Sequence, residues 1–260
     1  MKTSKKPLLE VWDLLKKENP KRQLLLLLDF DGTLTPIAET PAHAILSQKT
    51  RGLLKKLAAR RDITLGVISG RGLKDVQAKV GIKNIIYAGN HGFEIRGPGI
   101  RFDRINRSQK KVMQEIHKKL VQKFSDIPEI FLEDKGITLS LHYRRVPVKM
   151  RPRVSRIFHQ ICNPYLQENK IKIGRGKKVF EVRPPVDWGK GRAVEWLLKR
   201  SRNKKVWPIY IGDDQTDEDA FEVLRGQGLS VVVGKRAKSC AQYHLKNPAE
   251  VTKFLQRLLI

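Results

Sequence analysis

"LLLLLDFDGTLTPI", residues 24–37, runs five leucines into two aspartates one residue apart, Asp29 and Asp31, followed by Gly32 and Thr33. A run this apolar and this short reads as a central parallel strand covered on both faces. Carboxylates at the carboxyl end of such a strand lie where open α/β sheets bind ligands. A lone Asp-Gly would read as a turn whose aspartate caps the next element. A second acidic cluster changes that reading, because "GDDQTDEDAF", residues 212–221, also follows an apolar run, "PIYI". On a parallel sheet both clusters leave the same edge. Carboxylates so gathered repel one another unless a cation sits between them, and Mg²⁺, a hard ion that prefers oxygen ligands, meets that need.

The rest of the chain bounds the problem. Its 260 residues are 40% hydrophobic and 30% charged, the composition of a globular protein with a substantial core. No apolar run approaches the ~20 residues that span a bilayer. The start, "MKTSKKPLLEVWDLLKKENPKRQ", has neither an uninterrupted apolar core nor a small-residue cleavage site, so no signal peptide is expected. Cys162 and Cys240 are too few and too scattered for a disulfide framework or a zinc site, and a cytoplasmic location is the expectation. The net charge of +27 would suit a polyanion partner. Yet the basic residues form no single tract, and aromatics, at 7%, do not interleave with them for base stacking. The charge reads as a solvated surface, nucleic acid is not an expected partner, and a monomer is expected.

Strands and helices alternate along the chain. Ser47–Arg60 has helical spacing with Leu53, Leu54 and Leu57 on one face and Ser47 as N-cap. "ITLGVIS" (63–69) and "IIYAG" (85–89) read as buried strands with a short helix between them. Towards the end, "VWPIYIGDD", "TDEDAFEVL", "LSVVVG" and "PAEVTKFLQRLL" read as strand, helix, strand and helix. This predicts a doubly wound, mostly parallel α/β sheet. The middle breaks the pattern. Helices near 106–124 and 149–167, and strands near 129–133, 137–143, 170–173 and 178–183, predict an inserted α+β unit with an antiparallel sheet. The expected division is 1–103 plus 184–260 for the α/β domain and 104–183 for the insertion.

Two further stretches suit phosphoryl chemistry. "ISGR" (68–71) ends a strand and offers the Ser69 hydroxyl, with Gly70 and Arg71 behind it. "DWGKGRAVEWLL" (187–198) opens a helix and puts Lys190 near its N-terminus, where dipole and ammonium both favour an anion. In order, DxDGT, SGR, Lys and GDDxTDEDAF resemble the haloacid dehalogenase superfamily of phosphotransferases. "AGNHGFEI", "LSLHYR" and "KVFEVRP" narrow the resemblance to the trehalose-6-phosphate phosphatases, over about residues 22–245.

That resemblance implies roles. Asp29 would be the nucleophile that forms an aspartyl-phosphate, and Asp31 the acid and then the base. The Asp29 and Asp213 carboxylates and the Asp31 main-chain carbonyl would hold Mg²⁺, with Asp214 and Asp217 acting directly or through water. Ser69 and Lys190 would hold the non-bridging phosphoryl oxygens. Gly32, Thr33, Gly70 and Arg71 would bind substrate, as would Asn90, His91 and Glu94 at the junction with the insertion. The insertion would act as a specificity cap, meeting the sugar with Glu133, Lys135, Arg144, Lys177 and Glu181. From spacing alone these five read as ordinary charged residues on an exposed sheet face. The alternatives are a phosphatase for another phosphosugar, of the sucrose-phosphate or mannosyl-phosphoglycerate kind, and a non-catalytic polyanion-binding protein on the same fold.

Overall fold

The computed structural model describes residues 5–19, 23–38, 40–176, 178–201, 206–236 and 238–260. Its central strand is Gln23–Leu28, whose five leucines are all buried. Burial on both faces follows from alternation. Leu24, Leu26 and Leu28 face one hydrophobic cluster, and Leu25 and Leu27 face another. The first cluster takes in Leu54 and Leu57 of helix Gln48–Ala58, Val76 and Val80 of Leu73–Val80, and Val251, Phe254 and Leu255 of Pro248–Arg257. The second takes in Ala193, Val194 and Leu197 of Lys190–Arg200 and Ala220 and Phe221 of Glu218–Val223. Helices therefore cover both faces, as a doubly wound sheet requires.

The nine-stranded sheet runs Lys6–Pro7, Tyr243–Leu245, Leu229–Val233, Val206–Gly212, Gln23–Leu28, Ile63–Ile68, Ile86–Gly89, Glu94–Gly97 and Ile100–Asp103. The first seven pair in parallel, and Glu94–Gly97 is antiparallel to Ile86–Gly89. Register decides what the sheet presents. Leu28 lies opposite both Ile211 and Val67, so Asp29, Asp213 and Ser69 all emerge at one edge. The Ser47 hydroxyl accepts the Thr50 amide at 3.1 Å, which is the expected helix cap.

The structure adds elements that were not expected from the sequence. Helix Leu8–Glu18 buries Leu8 and Trp12. The Trp12 indole stacks on Trp207 at 5.5 Å and meets Phe254 edge-on at 4.8 Å. Glu94–Gly97, Ile100–Asp103 and Tyr243–Leu245 are short outer strands of mixed polarity, too brief to show alternation.

The chain forms two compact units, Met1–Phe102 with Trp188–Ile260, and Asp103–Asp187. At the edge of the first, Phe102 stacks on Trp188 at 5.1 Å, and the Trp188 indole N–H donates to the Gly92 carbonyl at 2.8 Å. The second unit has an antiparallel sheet in the order Phe131–Asp134, Leu139–His142, Val179–Arg183, Lys172–Gly176. Its helices, Arg107–Phe124 and Arg151–Gln167, share a cluster with Leu139, Leu141, Phe180 and Val182 of the sheet. The strand expected near 170–173 begins two residues later. Asn169, at φ 51°, turns the chain after the helix, and the Lys170 amide bonds back to Tyr165. Gly174 and Gly176 then belong to the strand and hide its true extent from a propensity reading.

Candidate active site

The Asp29 amide donates to the Ile211 carbonyl at 2.9 Å, which ties the first acidic turn to the strand carrying the second. The Asp29 side chain is buried, and its Oδ1 accepts the Lys190 ammonium at 2.7 Å. Lys190 opens its helix and is itself buried, with its Nζ also 2.8 Å from Asp217 Oδ1 and 4.0 Å from Asp214 Oδ1. Burial opposes the ammonium charge. Asp217, Asp29 and Asp214 outweigh it and hold Lys190 above its ordinary pKa.

The carboxylates face the converse problem. Burial pushes the Asp29 carboxyl well above its usual range, with Lys190 drawing it back and Asp217 and Asp213 adding to the rise. Burial and the neighbouring Asp217 and Asp214 charges push Asp213 up to about 7. Asp29, Asp213 and Asp217 each offer an oxygen, and these lie within 4.8 Å of one another. The Asp213 carboxylate presses so closely on Gly32 that a Cβ there would stand 2.1 Å from its Oδ2, and Gly32 also holds φ at 78°. Only glycine fits that turn. Thr33 Oγ1 reaches Asp213 Oδ1 at 3.4 Å. A pocket of oxygens that resist ionisation together, built on a glycine turn that leaves Asp213 room, fits a hard divalent cation.

Asp217 is occupied differently. Its Oδ1 accepts Lys190 and the Tyr210 hydroxyl, the latter at 2.6 Å, and its Oδ2 accepts the Asp213 and Asp214 amides at 3.0 and 2.9 Å. It is fully buried and organises the acidic loop from behind. Tyr210 escaped the sequence reading because it lies within an apolar strand; its hydroxyl is the one polar tip in "PIYI". Burial, then the Asp217 charge, hold its phenol well above its ordinary pKa.

Ser69 and Arg71 stand at the end of the neighbouring strand. Ser69 is buried, and its Oγ accepts the Arg71 amide at 3.1 Å. The Arg71 guanidinium grips Asp31 with two bonds, Nε to Oδ2 at 2.7 Å and Nη2 to Oδ1 at 2.6 Å. It also donates to Asp75 at 2.8 Å and to the Pro41 carbonyl at 2.9 Å. Asn90 and His91 follow with φ of 51° and 57°, and their amides donate to the Arg71 and Ser69 carbonyls at 2.7 and 2.8 Å. A Cβ on Gly70 would strike the His91 ring at 2.6 Å, so ring and turn are in close contact. The Asn90 amide nitrogen donates to Glu94 at 3.2 Å.

In the second unit, Glu133, Ser140, Glu181 and Gly174 lie side by side across four strands. Alternation therefore sets Glu133 and Glu181 on the face opposite the apolar cluster. Glu133 Oε2 is 3.1 Å from His142 Nε2 and 3.8 Å from Lys135 Nζ. His142 was not among the expected residues. Its place in the strand gave a signal only through pairing, since it sits two residues from Ser140 on the same face. Arg144 is exposed in the bend after that strand, and Lys177 lies outside the described residues.

A trehalose-phosphatase family model matches residues 27–250. The probable trehalose-phosphate phosphatase J of Arabidopsis thaliana is 35% identical, over 96% of this chain and 71% of that one. Its relative E from the same plant is 38% identical over 92% and 70%. Among solved structures, the C-terminal domain of the Candida albicans trehalose-6-phosphate phosphatase superposes with a TM-score of 0.78 at 25% identity, covering 98% of each chain.

Proposed function

The chain belongs to the trehalose-phosphatase family, and from that premise we propose that it hydrolyses trehalose 6-phosphate to trehalose and inorganic phosphate, the last step of trehalose biosynthesis. One observation carries the reading: Asp29, at the end of the central strand, is buried against Lys190 and beside Asp213.

Asp29 attacks phosphorus, the bond from phosphorus to the sugar oxygen breaks, and an aspartyl-phosphate forms. Asp31 gives its proton to the departing sugar oxygen and later takes one from the water that attacks phosphorus, whereupon the bond from phosphorus to Asp29 breaks and inorganic phosphate leaves. Lys190 keeps Asp29 oriented and offers its positive charge to the phosphoryl oxygens as they approach, with the Ser69 hydroxyl as a second donor. The Asp29 and Asp213 carboxylates and the Asp31 carbonyl would hold Mg²⁺, with Asp214 beside them and Asp217 acting through its hydrogen bonds. When bound, the ion would supply the positive charge that lets these carboxylates and a phosphate dianion share one site. The polar sheet face of Asp103–Asp187 reads the sugar through Glu133, Lys135 and Glu181, with Arg144 and Lys177 as further charged contacts.

Phosphate release from trehalose 6-phosphate, with and without Mg²⁺, tests the proposal. Asp29→Asn should fold and show no turnover, because an amide is a poor nucleophile. Full activity in that variant would remove the mechanism.

A further inference from the structure

The loop bearing Asp213 has reason to move outward. Its carboxylate lies among those of Asp29 and Asp217, with the Thr33 hydroxyl 3.4 Å away. Asp217 braces the loop from inside. From outside it is met by the connection that follows strand Leu229–Val233, where Arg236 makes several contacts. Arg236 Nη2 donates to Gln215 Oε1 at 2.8 Å, and its Nη1 donates to the Asp213 carbonyl at 3.3 Å. Its Nε lies 3.7 Å from Glu218 Oε1. The other Glu218 oxygen accepts the Cys240 amide at 2.8 Å and its thiol at 3.1 Å. The Arg236 carbonyl in turn accepts the Lys5 ammonium at 2.9 Å.

We infer that Arg236 is a positioning residue for the metal site: its planar guanidinium pins the backbone of Asp213 and both flanks of the acidic loop, so that the carboxylate stays turned to Asp29. The inference rests on the metal reading given above and adds to it a residue that touches neither substrate nor ion. Geometry favours arginine here. Two hydrogen-bond acceptors and the Glu218 carboxylate, 3.7 Å away, are met by three different nitrogens of one flat group, and an ammonium could serve only part of that set. Partners that orient a metal ligand in this way commonly carry 10- to 100-fold of the affinity.

The test is Mg²⁺ binding followed by titration calorimetry on the full chain, without substrate. Arg236→Gln should bind Mg²⁺ roughly ten- to a hundred-fold more weakly. Arg236→Lys should recover part of the loss, and KM for trehalose 6-phosphate at saturating Mg²⁺ should change little. Should Arg236→Gln lose its cooperative melt, Gln215→Ala removes a single contact and should weaken Mg²⁺ binding to a smaller but measurable degree. Unchanged Mg²⁺ affinity in a folded Arg236→Gln, with the wild type binding normally, overturns the inference alone. A wild-type chain that takes up no Mg²⁺ overturns the metal reading and this inference with it.

Discussion

Arg71 is the residue whose environment says most about the chemistry. Its guanidinium is almost fully buried, stands 5.3 Å from the Phe30 ring centre, and holds both oxygens of Asp31. The two parallel bonds fix the orientation of the carboxylate; when Asp31 is protonated it keeps one of them and gives its proton to the leaving oxygen from the other carboxyl oxygen. Sequence reading placed Arg71 among the substrate-binding residues; in the structure its donors go to Asp31, Asp75 and the Pro41 carbonyl. Arg71→Ala should therefore lose about ten- to a hundred-fold in kcat/KM on trehalose 6-phosphate, the scale of a charged hydrogen bond worth roughly 1.5–3 kcal/mol. The loss should shrink on p-nitrophenyl phosphate, whose leaving group needs little protonation. Equal losses on both esters would assign Arg71 to phosphate binding. At this scale the aspartates and Ser69 were legible because they follow short apolar strands, and Lys190 because it opens a helix. Tyr210 and His142 were not, because their partners are set by tertiary packing and strand pairing, which no local pattern encodes.

Among the elements, the first helix and the polar face of the smaller sheet make separate demands. Leu8–Glu18 sets Leu8, Trp12 and Leu15 at helical spacing among Lys, Glu and Asp, in a stretch read for a targeting signal and not for a helix. Trp12 nevertheless packs between Trp207 and Phe254 in the main core. Trp12→Ala should cost about 3–5 kcal/mol, the usual range for emptying a buried aromatic site, and lower Tm accordingly. Activity at low temperature should survive, since this helix packs at the start of the strands and not at their catalytic end. Loss of turnover in a fully folded Trp12→Ala would show that the helix also shapes the site. In the smaller sheet the strands themselves were legible from alternation, whereas their ends were fixed by Asn169 and Gly136, residues that carry positive φ. If Glu133 and Glu181 read the sugar, Glu181→Ala should cut kcat/KM on trehalose 6-phosphate about ten-fold and leave p-nitrophenyl phosphate nearly unchanged. A matching fall on both would make Glu181 a support of the fold.

For the molecule as a whole, clustered carboxylates impose a stability cost that depends on pH. Asp213 has an ordinary value of 3.8 and rises to about 7 when folded, so the folded state holds its proton more tightly than the unfolded one. Its contribution to stability is therefore lost as pH climbs from about 4 through about 7. In chelator, Asp213→Asn should melt higher than the wild type at pH 8 by roughly 2–4 °C for each kcal/mol of relieved repulsion, and by clearly less at pH 5, where most of the penalty has yet to develop. Thermal melts at both pH values decide it, and a gap of equal size at each would mean the substitution acts through packing. Partition into two compact units has a separate, optical consequence. All four indoles, Trp12, Trp188, Trp196 and Trp207, belong to the unit formed by the chain's two ends, and Asp103–Asp187 contains none. Tryptophan emission is thus blind to the inserted unit, whose aromatic signal comes from tyrosines such as Tyr143 and Tyr165. If the insertion melts first, far-ultraviolet ellipticity should fall while indole fluorescence holds steady, so the two probes together resolve the units without any engineered label.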